Sequence, residues 1–186
     1  MMCQATQPLY QNALVCRQQS QHALYERALA RGRRGQLWSA LTGRSRGLLS
    51  LEEVAQTCPV QSRSSGGMRT VPIDQICGSE NRASDFDRDF NPIQDHTCDR
   101  WVGIASVLQR GQYLPPVALI QMDDLYFVRD GHHRISVARA LGQTAIKATV
   151  EVWQVETPIS WEQLAQAPSR KRASNRAEPR LASILG

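Results

Sequence analysis

The stretch from Pro116 to Trp153 constrains the fold most, because its hydrophobic periodicity changes twice in a short space. Residues 116–121 read as an apolar strand, Asp123-Asp124 as a turn and residues 125–129 as a second strand, which together predict a hairpin. Asp130-Gly131 then turns the chain into a helix over residues 133–141, with Gly142 at its C-terminal stop. Beyond it, Ile146, Ala148, Val150 and Val152 alternate with Lys147, Thr149 and Glu151, the pattern of a half-buried strand over residues 146–153. Upstream, Trp101, Ile104, Ala105 and Leu108 share one helical face, and the helix over residues 95–110 ends at Gly111. Strands and helices interleaved in this way predict an α/β fold with a mixed sheet.

The rest of the chain is less regular. Residues 11–31 lack Pro and Gly and predict a helix, stopped by Arg31-Gly32-Arg33-Arg34-Gly35. Its apolar stripe of Leu14, Leu24, Tyr25, Ala28 and Leu29 is interrupted by Gln18, Gln21 and His22, so weak docking is expected. A short helix follows over residues 36–41. Ser50 and Glu53 have the spacing of a capping box. Residues 62–67, Ser-Arg-Ser-Ser-Gly-Gly, have the composition of a linker. Val71-Pro72-Ile73 is a short strand, and residues 77–92 read as a polar loop. One more helix is expected over residues 161–167, then a poorly ordered charged stretch over residues 168–180. The expected organisation is a basic helical extension with linker (1–68), an α/β domain (69–156) and a basic tail (157–186).

Charge is segregated along these parts. Residues 1–68 hold eight arginines and three glutamates, residues 69–156 nine basic and twelve acidic residues, and residues 157–186 five basic and two acidic. Arginine-rich flanks can neutralise phosphates, which makes DNA a candidate partner; solvated tails are the alternative. The five cysteines are widely spaced and form no Cys-x-x-Cys pair, so neither a zinc ribbon nor a thioredoxin-type motif is supported. The longest apolar run, residues 114–120, is too short to span a bilayer, and no signal-peptide pattern opens the chain. No membrane association and a cytoplasmic location are expected.

Chemistry concentrates at Asp130-Gly131-His132-His133-Arg134. The first N–H groups of a helix lack intrahelical partners and sit at the positive end of the macrodipole. A glycine there lets an anion approach the backbone, so Gly131, His132, His133 and Arg134 form a candidate phosphate cradle. Arg134 shares a face with Val137, Ala138 and Leu141, so its guanidinium starts a core-facing stripe and needs a carboxylate or phosphate partner. The competing reading makes Asp130 a helix cap, Gly131 a turn residue and the histidines partly exposed. A metal site of His96, His132 and His133 is disfavoured because adjacent histidines diverge on a helix. No nucleophile-elbow sequence anchors a Ser–His–Asp triad.

The order of these features resembles ParB N-terminal domains of the ParB/sulfiredoxin-like superfamily. The resemblance rests on Val71-Pro72-Ile73, on Gly111 through Pro115, and on residues 126–134 followed by Ala138 and Gly142, about half of the chain. It implies a ParB/sulfiredoxin-like mixed sheet with packed helices that binds a nucleotide (ATP, ADP or CTP), with Mg²⁺, through Asp130, Gly131, His132, His133 and Arg134. Sulfiredoxins carry a catalytic cysteine where this chain has His132, so that activity is not expected. Too few residues follow Glu156 for the DNA reader of a ParB clamp, although a smaller DNA-associated or nuclease-like role is left open. The motif is most similar to that of ParB-like small-molecule kinases. That likeness implies phosphoryl transfer to a small acceptor, or a nucleotide-driven switch, with Glu80 and His132 as candidate catalytic residues. Asp85, Asp87 and Asp89 compete with Glu80 for the role of base.

Overall fold

The structure is a computed structural model that describes residues 7–43 and 46–156, with residues 7–18 as backbone alone. Among the described residues four helices and six strands follow in the order α1 (Gln7–Thr42), β1 (Leu49–Ser50), α2 (Leu51–Thr57), β2 (Val60–Pro72), β3 (Ile76–Ser79), α3 (Cys98–Gln109), β4 (Val117–Met122), β5 (Leu125–Asp130), α4 (His132–Ala140) and β6 (Ala145–Val155). The strands form one sheet in the order β1-β3-β5-β4-β6-β2. β1 runs parallel to β3, β3 to β5, and β4 to β6; β4 with β5 and β2 with β6 are antiparallel. This is the mixed α/β architecture expected. Among the described residues no helix is long and apolar enough to cross a membrane.

Alternation along the strands sorts the core into two faces. Val117, Leu119, Tyr126, Val128, Ala148 and Val150 pack with Ile135 and Ala138 of α4. Ile120, Met122, Leu125, Phe127 and Trp153 pack on the other face with Leu51 and Val54 of α2. A further layer lies outside α4, where Trp101 and Ala105 of α3 meet Tyr25, Ala28 and Leu29 of α1 and Val137 of α4. Each large apolar side chain fully buried in these layers contributes about 1.5–3 kcal/mol. The hairpin, the helix over 95–110 (opened by a 3₁₀ turn at Asp95–Thr97), the alternating last strand and the Ser50 cap, whose Oγ accepts the Glu53 N–H at 3.5 Å, all appear as expected.

Four expectations are corrected. Residues 62–67 are not a linker; they lie inside β2, which pairs along its length with β6. Serines and glycines have weak strand propensity, but a long ladder against an apolar neighbour overrides it. The sheet therefore begins well before residue 69: Leu48 and Leu51 are buried, and β1 is an edge of the sheet. Second, the Arg31–Gly35 segment does not stop the first helix. Gly32 faces the Pro92 carbonyl and Ile93, where any Cβ would collide, so its missing side chain is what lets α1 pack there.

Third, α1 is firmly docked. Tyr25 is 1% exposed, and its hydroxyl donates to the Gln94 carbonyl at 3.1 Å and meets Thr97 Oγ1 at 3.0 Å. Gln21 does not interrupt the buried stripe; it is buried and satisfied, donating to Gln109 Oε1 at 3.1 Å and accepting from the Ser106 hydroxyl at 2.5 Å. Leu37, Trp38 and Leu41 stay exposed at the far end of the helix. Fourth, the polar loop expected over residues 77–92 begins with most of a strand, β3. The helix and charged stretch expected over residues 161–180 lie outside the described residues.

Candidate functional site

Strand β5 ends at Asp130 in register with Ala118 of β4, and Gly131 makes the corner into α4. Gly131 has φ 106°, a left-handed conformation, and a Cβ there would stand 2.5 Å from Val117 Cγ1. Glycine is thus required twice, by the backbone angle and by the close approach of β4. No side chain caps α4, so its leading N–H groups receive no side-chain acceptor.

The two histidines behind this corner are buried, at 4% exposure for His132 and 6% for His133. Ser79, at the end of β3, sits with its hydroxyl 2.7 Å from His132 Nε2. The same oxygen accepts the backbone N–H of Asn81 at 3.3 Å and of Arg82 at 2.8 Å. With its lone pairs used, the hydroxyl gives its proton to His132, which assigns His132 the tautomer protonated on Nδ1. Phe86 stacks on His132 at 6.1 Å between centroids and meets His133 edge-on at 5.2 Å.

Both histidines are lowered to about 4, chiefly by burial and in part by the nearby Arg82 charge. Arg100 and His96 act on His133 in the same sense, while Asp85 opposes them. Both rings are therefore neutral at pH 7. Nδ1 of His133 is buried with no hydrogen-bond partner among the described residues, a costly state for a polar atom.

Arg134 finds the carboxylate that its position on the helix demanded. Its Nη2 pairs with Asp130, and its Nη1 donates to the carbonyls of Pro115 at 2.5 Å and Pro116 at 2.9 Å. It thereby ties the start of α4 to the chain leading into β4. Glu80 extends β3 by donating its N–H to Val128 O at 2.9 Å, and its carboxylate lies 3.3 Å from Arg129 Nε. Arg129 also grips Glu151 at 2.5 Å. The competing carboxylates separate. Asp85 pairs with Arg82 at 3.3 Å and lies 3.8 Å from His96. Asp87 is buried on Asn91, and burial raises its carboxyl. Asp89 bridges Arg46 and Arg139.

Among the described residues no group of three or more His, Cys, Asp or Glu side chains is placed to hold a metal ion. His96 is exposed and pairs with Asp85, apart from any cluster with His132 and His133. Cys77 is buried, its thiol pushed up to about 12 by desolvation, so it is protonated at neutral pH. Sequence reasoning missed Ser79, Arg82, Phe86 and Arg100. Their link to the histidines is long-range, with 53 positions between Ser79 and His132, and no local pattern carries it.

Fold and site define a mixed α/β protein whose sheet delivers a strand–glycine–helix corner backed by two neutral histidines. No protein-family model matches this chain. No curated protein matches it either. Among solved structures it is similar to the crystal structure of sulfiredoxin from Arabidopsis thaliana, with a TM-score of 0.35 and 16% identity, over 47% of this chain and 86% of that chain.

Proposed function

We propose that this protein binds a nucleoside phosphate (ATP, ADP or CTP, arriving with Mg²⁺) with its phosphates at the N-terminus of α4. The observation that carries the reading is the unpartnered, buried Nδ1 of His133 beside an uncapped helix start. An oxyanion there would satisfy the leading N–H groups and complement the helix dipole. Arg82 and Arg100 already place positive potential on His133, which favours an anion further. A magnesium ion bound mainly by phosphates needs only one or two protein carboxylates, and Asp85 could supply one without a preformed cage.

In this reading Gly131 admits the phosphate, His133 contacts it, and Arg134 with Asp130 holds the corner in shape. His132, locked by Ser79, positions the helix start and does not touch substrate. The bound nucleotide serves phosphoryl transfer to a small acceptor or drives a switch. Glu80 is the candidate base for transfer, and that role requires its pair with Arg129 to open.

The test is thermal unfolding against ATP, ADP and CTP, each with and without Mg²⁺. A nucleotide at a hundred times its Kd stabilises the folded state by about 2.7 kcal/mol and must raise Tm. Loss of that shift in a folded His133→Ala protein supports the site. No shift with any nucleotide in the wild-type protein sinks it. Binding to DNA that falls steeply with salt would instead favour the arginine-rich flanks as the working surface.

A further inference from the structure

A cavity of about 270 Å³ lies between α1, the loop over residues 85–92 and the later part of α4, apart from the α4 N-terminus. It is lined by Arg31, Asp89, Asn91, Ser136, Arg139 and Ala140. Asp89 accepts from Arg46 Nη2 on one oxygen at 2.6 Å and from Arg139 Nη2 on the other at 3.0 Å. One carboxylate thus stands against two guanidiniums, and Arg31 adds a third. The Arg31 side chain makes no hydrogen bond or ion pair among the described residues. The neighbouring acid of the loop, Asp87, does not offset this surplus at the cavity wall. It is 3% exposed and spends its oxygens on Asn91 and on the N–H groups of Asp89 and Asn91.

The third lining donor is a hydroxyl. Ser136 is 2% exposed, and its oxygen accepts the Trp101 Nε1–H at 2.8 Å. No acceptor for its own hydrogen is found among the described residues. A buried hydroxyl with an unspent proton and two guanidiniums therefore share one small polar cavity, which is the donor set of an oxyanion site. The guanidinium fork matches the paired oxygens of a phosphate, and two such forks favour a dianion over a monoanion.

We propose that this cavity binds a phosphate dianion, free or as the head of a small phosphomonoester, between Arg31 and Arg139 with the Ser136 hydroxyl as third donor. The site is independent of the α4 N-terminus and does not rest on nucleotide binding there.

The experiment is calorimetric titration of the full chain with inorganic phosphate and with glycerol phosphate. Binding of both identifies free phosphate as sufficient, whereas binding of the ester alone identifies the phosphomonoester as the ligand. Arg31→Gln is the deciding variant, since Arg31 holds nothing else in place and its loss leaves the fold intact. It should weaken the anion about tenfold, the usual effect of removing one charged hydrogen-bond donor. Arg139→Gln should do the same with some loss of stability, because Arg139 also anchors Asp89. ADP is titrated into the same Arg31→Gln protein and should bind as in wild type, which separates this site from the α4 corner. Absence of phosphate and ester binding in wild type overturns the proposal. So does unchanged affinity in Arg31→Gln, or its joint loss of anion and ADP binding.

Discussion

The Ser79 hydroxyl lies 2.7 Å from His132 Nε2 and joins the end of β3 to the first turn of α4. Ser79 also accepts the N–H groups of Asn81 and Arg82, so one buried oxygen organises both the loop and the histidine. Ser79→Ala leaves these partners unsatisfied and should destabilise the protein by roughly 1–3 kcal/mol, read from urea unfolding. In the wild-type protein, ¹⁵N NMR should find His132 protonated on Nδ1 with a bare Nε2. A proton on Nε2 would contradict the assigned network.

The buried histidines make stability depend on pH. In the folded protein both titrate at about 4, below the unfolded value of about 6.5, so between these limits the unfolded chain binds more protons. Stability from this source is complete above pH 6.5 and is lost as pH falls towards 4. The effect is on the order of 3 kcal/mol per histidine. Asp87, raised by burial, acts in the opposite sense, so the difference between wild type and His133→Gln isolates the histidine. Urea unfolding at pH 7.5 and pH 5 should show a smaller drop in the variant; equal drops would refute it.

Gly131→Ala combines a left-handed backbone with a collision at Val117. We expect a loss of about 1–3 kcal/mol or more, measured by chemical denaturation, together with loss of nucleotide binding. An alanine variant of wild-type stability would mean that the corner relaxes freely.

A chain beginning at Met68 should fail to fold. It lacks Leu48, Leu51 and Val54 from the two sheet faces and most of β2, and it exposes the β6 edge that β2 covers. The expected product is insoluble or molten, with poor NMR dispersion. A cooperative unfolding transition in this fragment would show that the sheet closes without its first strands.

At the tip of α1 the opposite holds. Leu37, Trp38 and Leu41 are 66%, 61% and 82% exposed, so replacing each by serine should change stability by no more than about 0.5 kcal/mol. A larger loss in thermal unfolding would place these residues against a surface that the isolated chain does not display.

The sequence by itself determined those elements whose own periodicity matches the face they bury. Alternation in residues 146–153 is the alternation of β6, and the Trp101, Ile104, Ala105, Leu108 stripe is the buried side of α3. The Asp-Gly step was legible for the same reason, since only glycine suits the angle found at Gly131. Tertiary structure decided whatever depended on a distant partner. Residues 62–67 are polar and small, and they become strand only because β6 offers a ladder more than eighty residues away. Gln21 looks like an interruption until Gln109 and Ser106 satisfy it in the interior. The four residues of β3 are too few to show a period, so Ser79 gave no local sign of its place beside His132. Local pattern records the side of an element that leaves water, whereas hydrogen bonds between distant residues exist only once the layers have packed.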